Sequence, residues 1–402
     1  MKKFKLFPIL LVMVLLVACQ PKQATDEPQD GDKKTVTLTD VRGRQVTIPQ
    51  PIERAYYPYY YENLMTVGGE DIFEKIVATS AYDTENYSKT FWNILKEKAK
   101  GFNDIQDIGS TFQDNFDVEK LISLKPDVVI LANYQYEAIG ENQIQALEAV
   151  GIPVVFIDFS DLSEEAHYKS LTILGQVFGQ EERAQELMDN YKEKMQNLRD
   201  IVAKIPEDEV KTAYFELRFN SPSFKEYGMA YGRNGRMGYM AQVAKVENIF
   251  NDIYDKNGDA NPELLFSKNP DLIFLDGGNF GGENTVFIRT GFTVDPKDTQ
   301  KTLADLVQAR EGWQELKAVQ NKNVYTVDND IMRTMRDYVL AEYIAKAAYP
   351  DYCKDLDPEK ENREFIEKYL PMLPADSCFF AQWEGLKWLK TIGPRPALAI
   401  AT

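Results

Sequence analysis

The sequence predicts an α/β fold of two Rossmann-like lobes joined by a single long helix, with a ligand cleft between the lobes. Three observations carry this. A thirteen-residue stretch occurs twice at a constant offset, as Glu119-Lys-Leu-Ile-Ser-Leu-Lys-Pro126-Asp127-Val-Val-Ile-Leu131 and as Glu263-Leu-Leu-Phe-Ser-Lys-Asn-Pro270-Asp271-Leu-Ile-Phe-Leu275. Each copy reads as a short helix, a Pro-Asp turn and an apolar run of the kind buried in a parallel sheet. A weaker repeat agrees: Leu147-Glu148-Ala149-Val150 leads to a strand ending at Asp158, and Leu316-Lys317-Ala318-Val319 to one ending at Asp328. Between the lobes, residues 163–204 place Leu171, Leu174, Val177 and Phe178, then Leu187, Tyr191, Met195 and Leu198, at helical spacing. Gly175 and Gly179 weaken the first part, so a shorter helix precedes the long one, which acts as a stiff spine.

The elements follow in order. Lys2, Lys3 and Lys5 precede an apolar run, residues 7–17, that is too short to span a membrane but suits a signal peptide. It ends in Leu16-Val17-Ala18-Cys19, the pattern of a lipobox, so residues 1–18 are read as a lipoprotein signal peptide and Cys19 as the lipidation site. Residues 19–34 are polar and aperiodic, a flexible tether. The N-terminal lobe is assigned to residues 35–162, the interlobe helix to 163–205, and the C-terminal lobe with its final helices to 206–402.

A hairpin over residues 36–48, turning at Arg42-Gly43, opens the first lobe. A short helix ends at Gly68-Gly69, and Ile76-Val77-Ala78 is a strand. Asp117 caps the first repeat helix; Asn261, with Pro262 at the first helical position, caps the second. Glu119 and Glu263 therefore both fall in a first turn, where a carboxylate complements the helix dipole. The second lobe carries extra residues, Gly277 to about Gln300, directly after a strand end, the edge where ligands sit in such sheets. Residues 331–370 are helical in pattern, and 391–402 show none.

Composition narrows the function. The chain has 402 residues, room for two cores, and a formal charge of −17. Loss of residues 1–18 would remove three lysines and no acid, so the remainder is more acidic still. Such a balance argues against nucleic acid as a partner, because phosphate binding needs a basic face. Beyond Cys19 only Cys353 and Cys378 remain, either a disulfide or two buried thiols. His167 is the only histidine, whereas a bare transition-metal site usually needs several; it reads as a surface or capping residue, with no direct metal site. No Ser-His-Asp set, HExxH or CxxC is present, so no enzymatic role is assigned. Gly277-Gly278…Gly281-Gly282 lacks the Lys-Ser/Thr of a phosphate loop and reads as a flexible cleft loop.

Several motifs together resemble one family. They are Asp40-x-x-Gly43-Arg44-x-Val46-Thr47-Ile48-Pro49 with Pro51 and Arg54, Gly109 before Glu119…Lys125-Pro126-Asp127, and Leu174-Gly175…Gly179-Gln-Glu-Glu-Arg-Ala184. Asn269-Pro270-Asp271 and Trp313…Leu316-Lys-Ala318-Val319…Val324-Tyr325 complete the set. In this order they are similar to the iron-chelate (siderophore) and cobalamin substrate-binding proteins of ABC importers, over roughly residues 36–350. The resemblance implies a monomeric, lipid-anchored, extracytoplasmic receptor that hands a ligand to a permease dimer and its ATPase. It implies that Glu119 and Glu263 dock with arginines of the permease. The ligand class it leaves open is a ferric chelate, haem or cobalamin.

The residues expected at the cleft favour an anionic chelate. Tyr57, Tyr59, Tyr60 and Tyr61 follow the first strand, and Tyr82, Tyr134 and Tyr136 follow others. Tyrosine offers a rigid face and a hydroxyl. Arg218, Arg233, Arg236, Arg289, Arg333 and Arg336 collect near strand ends of the second lobe, suited to an anion. Met229, Met237 and Met332 are assigned to packing. No resident cofactor is expected; the ligand is cargo.

Overall fold

The structure, a computed structural model, describes residues 34–218, 221–279 and 286–385. The predicted signal peptide, Cys19, most of the tether, Gly281, Gly282 and residues 391–402 lie outside the described residues.

The first lobe opens with β1 (Lys34–Thr39) and β2 (Gln45–Gln50), an antiparallel hairpin with Val36 opposite Ile48. It continues with β3 (Ala55–Tyr56), α1 (Tyr61–Gly68), β4 (Ile76–Thr79), α2 (Ala81–Glu85) and α3 (Lys89–Lys98). β5 (Gln106–Asp107), α4 (Val118–Ser123), β6 (Val128–Ala132), α5 (Gln135–Ile139), α6 (Glu141–Ala149) and β7 (Val154–Ile157) complete it. The strands form a parallel sheet of order β5-β4-β3-β6-β7. The chain starts at β3, builds outward one way, then returns to build the other way. The strand order therefore reverses between β3 and β6, and a crevice opens at their carboxyl ends.

The second lobe repeats this plan. Its elements are β8 (Thr212–Leu217), β9 (Met229–Tyr231), α9 (Arg236–Val243), β10 (Glu247–Asn248), β11 (Asn257–Asp259), α10 (Pro262–Lys268) and β12 (Leu272–Gly278). Then come β13 (Ile288–Arg289), α11 (Pro296–Ala309), α12 (Lys317–Gln320), β14 (Val324–Asp328), α13 (Tyr338–Ala348), α14 (Pro358–Tyr369) and β15 (Phe380–Gln382). The sheet order β11-β9-β8-β12-β14-β15 reverses between β8 and β12. β6 and β12, the two repeat strands, thus sit at equivalent positions. Every residue of both is buried, in keeping with the apolar runs Val128–Ala132 and Leu272–Leu275; Asp276 follows the second run within β12.

The repeated aspartates explain part of the pattern. The Asp127 carboxylate accepts the backbone N–H groups of Glu53 and Arg54, at 3.0 and 2.9 Å, just ahead of β3. Asp271 accepts the N–H and hydroxyl of Thr212, both at 3.0 Å, at the start of β8. In each lobe the repeat strand is tied to the partner across the reversal point by hydrogen bonds to a charged group, each contributing about 1.5–3 kcal/mol. The caps also form as expected: Asp117 accepts from Lys120 N and Asn261 from Leu264 N.

The connection differs from a single helix. It is two helices, α7 (Glu164–Phe178) and α8 (Glu181–Val202), packed against each other. Gly179 between them has φ 66°, a left-handed conformation that ends α7. α7 packs against α1 and β1 of the first lobe, whereas α8 packs against α13 of the second. The described residues form one compact unit. Its largest apolar cluster crosses from Leu64 and Leu174 through Met195 to Leu340 and Leu370.

Cys353 and Cys378 are both buried and free, so no disulfide forms. The extra segment is anchored where it is described: β13 pairs with β12, and Phe292 stacks on Phe91 of the first lobe at 5.8 Å. Lys89 N also donates to Asn279 O at 3.1 Å across the lobes.

Candidate anion-binding cleft

A cavity of about 290 Å³ lies between the lobes at both reversal points. The first lobe contributes Tyr59, Tyr87, Phe112, Tyr134 and Ser160. Each follows the carboxyl end of a different strand, β3, β4, β5, β6 and β7 in turn, Tyr87 after the intervening α2. The second lobe contributes Leu217, Arg236, Asn329 and Arg333. A narrow extension of about 60 Å³ shares Tyr59, Tyr87 and Arg333 and reaches Tyr60, Asp330 and Met332. A wider hollow of about 630 Å³ around Cys378 is lined by the second lobe alone and adjoins Glu384, close to where the described chain ends. It does not lie between the lobes.

The first-lobe wall is aromatic. Tyr134 meets Tyr59 edge-on at 6.3 Å and lies parallel to Phe112 at 5.7 Å. Tyr60 packs on Tyr59 at 4.8 Å and sends its hydroxyl to Ser160 Oγ at 2.7 Å. Burial raises the pKa of Tyr59 and Tyr134, and pushes that of Tyr87 up to about 12, so these rings present neutral hydroxyls at physiological pH.

The facing wall is cationic. The Arg333 guanidinium lies 5.4 Å from the Tyr59 ring centre and donates to Asn329 Oδ1 at 2.9 Å. Arg333 has φ 76°, a strained conformation for a residue with a side chain. Arg236 is the first residue of α9, and its Nη1 is buried without a hydrogen-bond partner. Beneath these lies Asp276, fully buried, accepting from Tyr231 Oη and Asn329 Nδ2, each at 2.8 Å. Its Oδ1 has no partner. Burial pushes its pKa up to about 7 against the opposing pull of Arg236 and those two hydrogen bonds.

The cleft and its extension bring together Tyr59, Tyr60, Tyr61, Tyr134, Arg236 and Arg333 of the expected residues. The others are corrected. Tyr57 is buried, with its hydroxyl on Tyr60 O inside the first lobe, whereas Tyr61 borders the extension with its hydroxyl on Thr79 Oγ1. Tyr82 is exposed and lines neither the cavity nor its extension. Tyr136 packs under Arg42, 3.6 Å from its ring centre. Arg218, one residue past β8, pairs with Glu216 and does not line the cleft, whereas Leu217 between them does. There Glu216 is clasped by Arg218 at 2.8 Å and Arg310 at 2.6 Å, all three buried. Arg233 is exposed and pairs with Asp252 at 2.8 Å; Arg289 is exposed beside Asp298 at 3.5 Å. Arg336 is buried on Glu62 of the opposite lobe. Met237 is buried in the core, Met332 borders the extension, and Met229 is partly exposed.

His167 is neither at the surface nor a cap. It is fully buried, with Nε2 3.0 Å from Asp337 Oδ2, while Tyr191 Oη donates to Asp337 Oδ1 at 2.7 Å. It joins α7 to the start of α13. Glu119 and Glu263 are exposed in the first turns of α4 and α10, with no ion pair among the described residues.

Sequence reasoning missed Tyr87, Phe112, Ser160, Asn329 and Asp276. The second repeat held a signal for Ser160, and for Asp330 in the extension. Asp158 accepts from Ser160 N at 2.8 Å, and Asp328 from Asp330 N at 3.0 Å, so each repeated Asp shapes a strand-end turn that delivers a residue to the cleft or its extension.

Three comparisons bear on this arrangement. A family model for periplasmic binding proteins matches residues 55–331. An uncharacterized ABC transporter substrate-binding lipoprotein, YvrC, of Bacillus subtilis (strain 168) is 26% identical over 357 residues, which is 86% of this chain and 97% of that protein. The crystal structure of the TroA-like periplasmic binding protein FepB from Veillonella parvula superposes with a TM-score of 0.78 at 29% identity, covering 87% of this chain and 99% of that one. The molybdate-binding protein MolA of Haemophilus influenzae shares the fold, with a TM-score of 0.61 at 18% identity over 84% of this chain and 98% of its own. The chain belongs to the periplasmic binding protein family and is a substrate-binding protein of an ABC transporter.

Proposed function

We propose that this protein captures an anionic ferric chelate of the siderophore type in its interlobe cleft, outside the cytoplasm, and delivers it to a permease dimer served by an ATPase. Cys19 would carry the lipid that holds it at the membrane, and Glu119 and Glu263 would dock on the permease. Among the described residues no helix is long and apolar enough to cross a membrane. The protein performs no chemistry in this reading: it binds, docks and releases.

One observation carries the ligand class: an aromatic wall of Tyr59, Tyr87, Phe112 and Tyr134 faces Arg236 and Arg333 across one cavity. Planar catecholate or hydroxamate groups stack on the rings, and the guanidiniums meet their negative charge. The volume of about 290 Å³ sits at the low end of small-molecule sites, roughly 300–1,000 Å³, which suits a compact chelate better than a corrinoid. Haem is the second reading, because the wall presents tyrosine hydroxyls, and tyrosine is an axial haem ligand elsewhere.

The test is a fluorescence-quenching titration of residues 35–402 with ferric catecholate, ferric hydroxamate, haem, cobalamin, and free ferric or divalent metal. Saturable sub-micromolar quenching by one ferric chelate, absent with free metal, is expected. Tight binding of free metal alone, or of cobalamin alone, would overturn the ligand assignment.

A further inference from the structure

Asp276 is the one carboxyl described at the carboxyl end of β12, and nothing in ligand capture by the aromatic wall requires it. A fully buried carboxylate with an unpartnered oxygen is costly, and such a group ordinarily gains a second partner or gives up its charge. Its surroundings make the balance close. The ionisable groups facing it are Tyr231 from β9, Arg236 from α9 and Arg333 from the segment after β14, with neutral Asn329 beside them. Glu216 on β8 and Asp328 on β14 stand in register with Leu275 and Gly277, the residues flanking Asp276, and so turn to the other face of the sheet. The two cations that favour the ionised form of Asp276 against its burial, Arg236 and Arg333, are the same two that line the cleft. Arg236 Nη1 has no partner of its own.

We propose that Asp276 is a positioning residue of the cleft, and that an anion engaging Arg236 and Arg333 is bound together with a proton taken up by Asp276. The proposal rests on the reading of the cleft as an anionic-chelate site. The logic is competition for charge. In the empty cleft the field of Arg236 and Arg333 favours the ionised Asp276, and Arg333 acts also on Asp330 in the extension. An anion seated on them cancels their field and adds its own, so the ionised carboxyl becomes less favourable and takes a proton. Protonated Asp276 no longer repels the ligand and still accepts from Asn329 and Tyr231. Its pKa of about 7 in the empty protein means that this exchange falls in the physiological range.

The sign follows from linkage. Below the pKa of the empty protein Asp276 is already protonated and affinity is flat. As pH rises above it, binding must bring a proton, and affinity falls by up to about tenfold per pH unit until the pKa of the complex is passed.

The experiment uses ferric tricatecholate, a trianion, as the probe on residues 35–402. Calorimetry at pH 8 in buffers of different ionisation enthalpy counts protons taken up, and ¹³C-carboxyl NMR follows Asp276 directly, its signal assigned by its loss in Asp276→Asn. The expected results are an uptake of roughly one proton per chelate in the native protein and none from this site in Asp276→Asn. In the ligand-free protein Arg236→Gln should raise the Asp276 midpoint, because a cation that held it ionised is gone. Equal proton uptake in native protein and Asp276→Asn overturns the proposal. So does an Asp276 midpoint that Arg236→Gln leaves unmoved. Failure of the chelate to bind counts against the ligand reading, and the coupling of Asp276 to Arg236 is then decided by the ligand-free NMR arm alone.

Discussion

Glu62 of the first lobe and Arg336 of the second form a two-pronged ion pair across the lobe boundary, Nε to Oε1 at 2.7 Å and Nη2 to Oε2 at 2.9 Å. Asn362 takes Nη1 at 2.6 Å, and the ring of Phe379 lies 4.6 Å from the guanidinium. Both side chains are buried or nearly so. The pair therefore fixes the lobes to each other.

Arg336→Met leaves the Glu62 carboxylate buried without its cation. Breaking a buried pair in this way costs about 3–5 kcal/mol. A fall of that size in unfolding free energy by urea titration is expected, and Glu62→Gln combined with Arg336→Met should recover much of it. A loss under about 1 kcal/mol would show that the lobes are held by other contacts.

His167 gives a pH prediction. Burial pulls its pKa down, but the charge and hydrogen bond of Asp337 outweigh this, and the net shift is upward. A histidine with a raised folded-state pKa stabilises fully below its unfolded value, about 6.5, and loses that contribution as pH rises through the folded value. As the chain has a single histidine, one imidazole signal in NMR reports it. The midpoint should lie above 6.5 and drop in Asp337→Asn. A midpoint below 6.5 in the native protein would contradict the ion-pair account.

The two groups of arginines should separate by assay. Arg333→Gln and Arg236→Gln each remove a charged donor at the cleft and should weaken binding of the ferric chelate by roughly 10–150-fold, about 1.5–3 kcal/mol, with little change in melting temperature. Arg218→Met strips one cation from buried Glu216 and should lower stability. Arg233→Gln, at an exposed pair with Asp252, should change neither. Equal loss of binding for Arg233→Gln and Arg333→Gln would refute the assignment of the cleft.

Glu119→Gln and Glu263→Gln test docking. Both positions are exposed and neither lines the cavity or its extension, so chelate affinity should be unchanged. Uptake by cells carrying the full-length protein should fall, more in the double variant than in either single. Normal uptake in the double variant would remove these residues from the docking surface.

Much of this architecture was legible because it rests on local signals. The repeated Glu…Pro-Asp-apolar pattern marks a capped helix, a tight turn and a doubly buried strand, each decided by neighbours in the chain. Glycine at 179 likewise marked a helix end, although the helices on either side proved to pack together rather than continue. The cleft was half legible. Tyr59, Tyr134, Arg236 and Arg333 follow strand ends, and the topological rule places strand ends at the ligand.

What the sequence by itself determined is the α/β lobe and its duplication, because periodicity, caps and turn residues act over a few residues. Only the tertiary structure decided which side chains reach the cleft. Arg333 and Arg336 lie three residues apart, yet one lines the cavity and the other is clasped by Glu62 from the far lobe. His167 is buried because Asp337, distant in sequence, meets it there. Long-range pairing of charge leaves no local signature, since a partner's position depends on how the lobes pack and not on spacing along the chain.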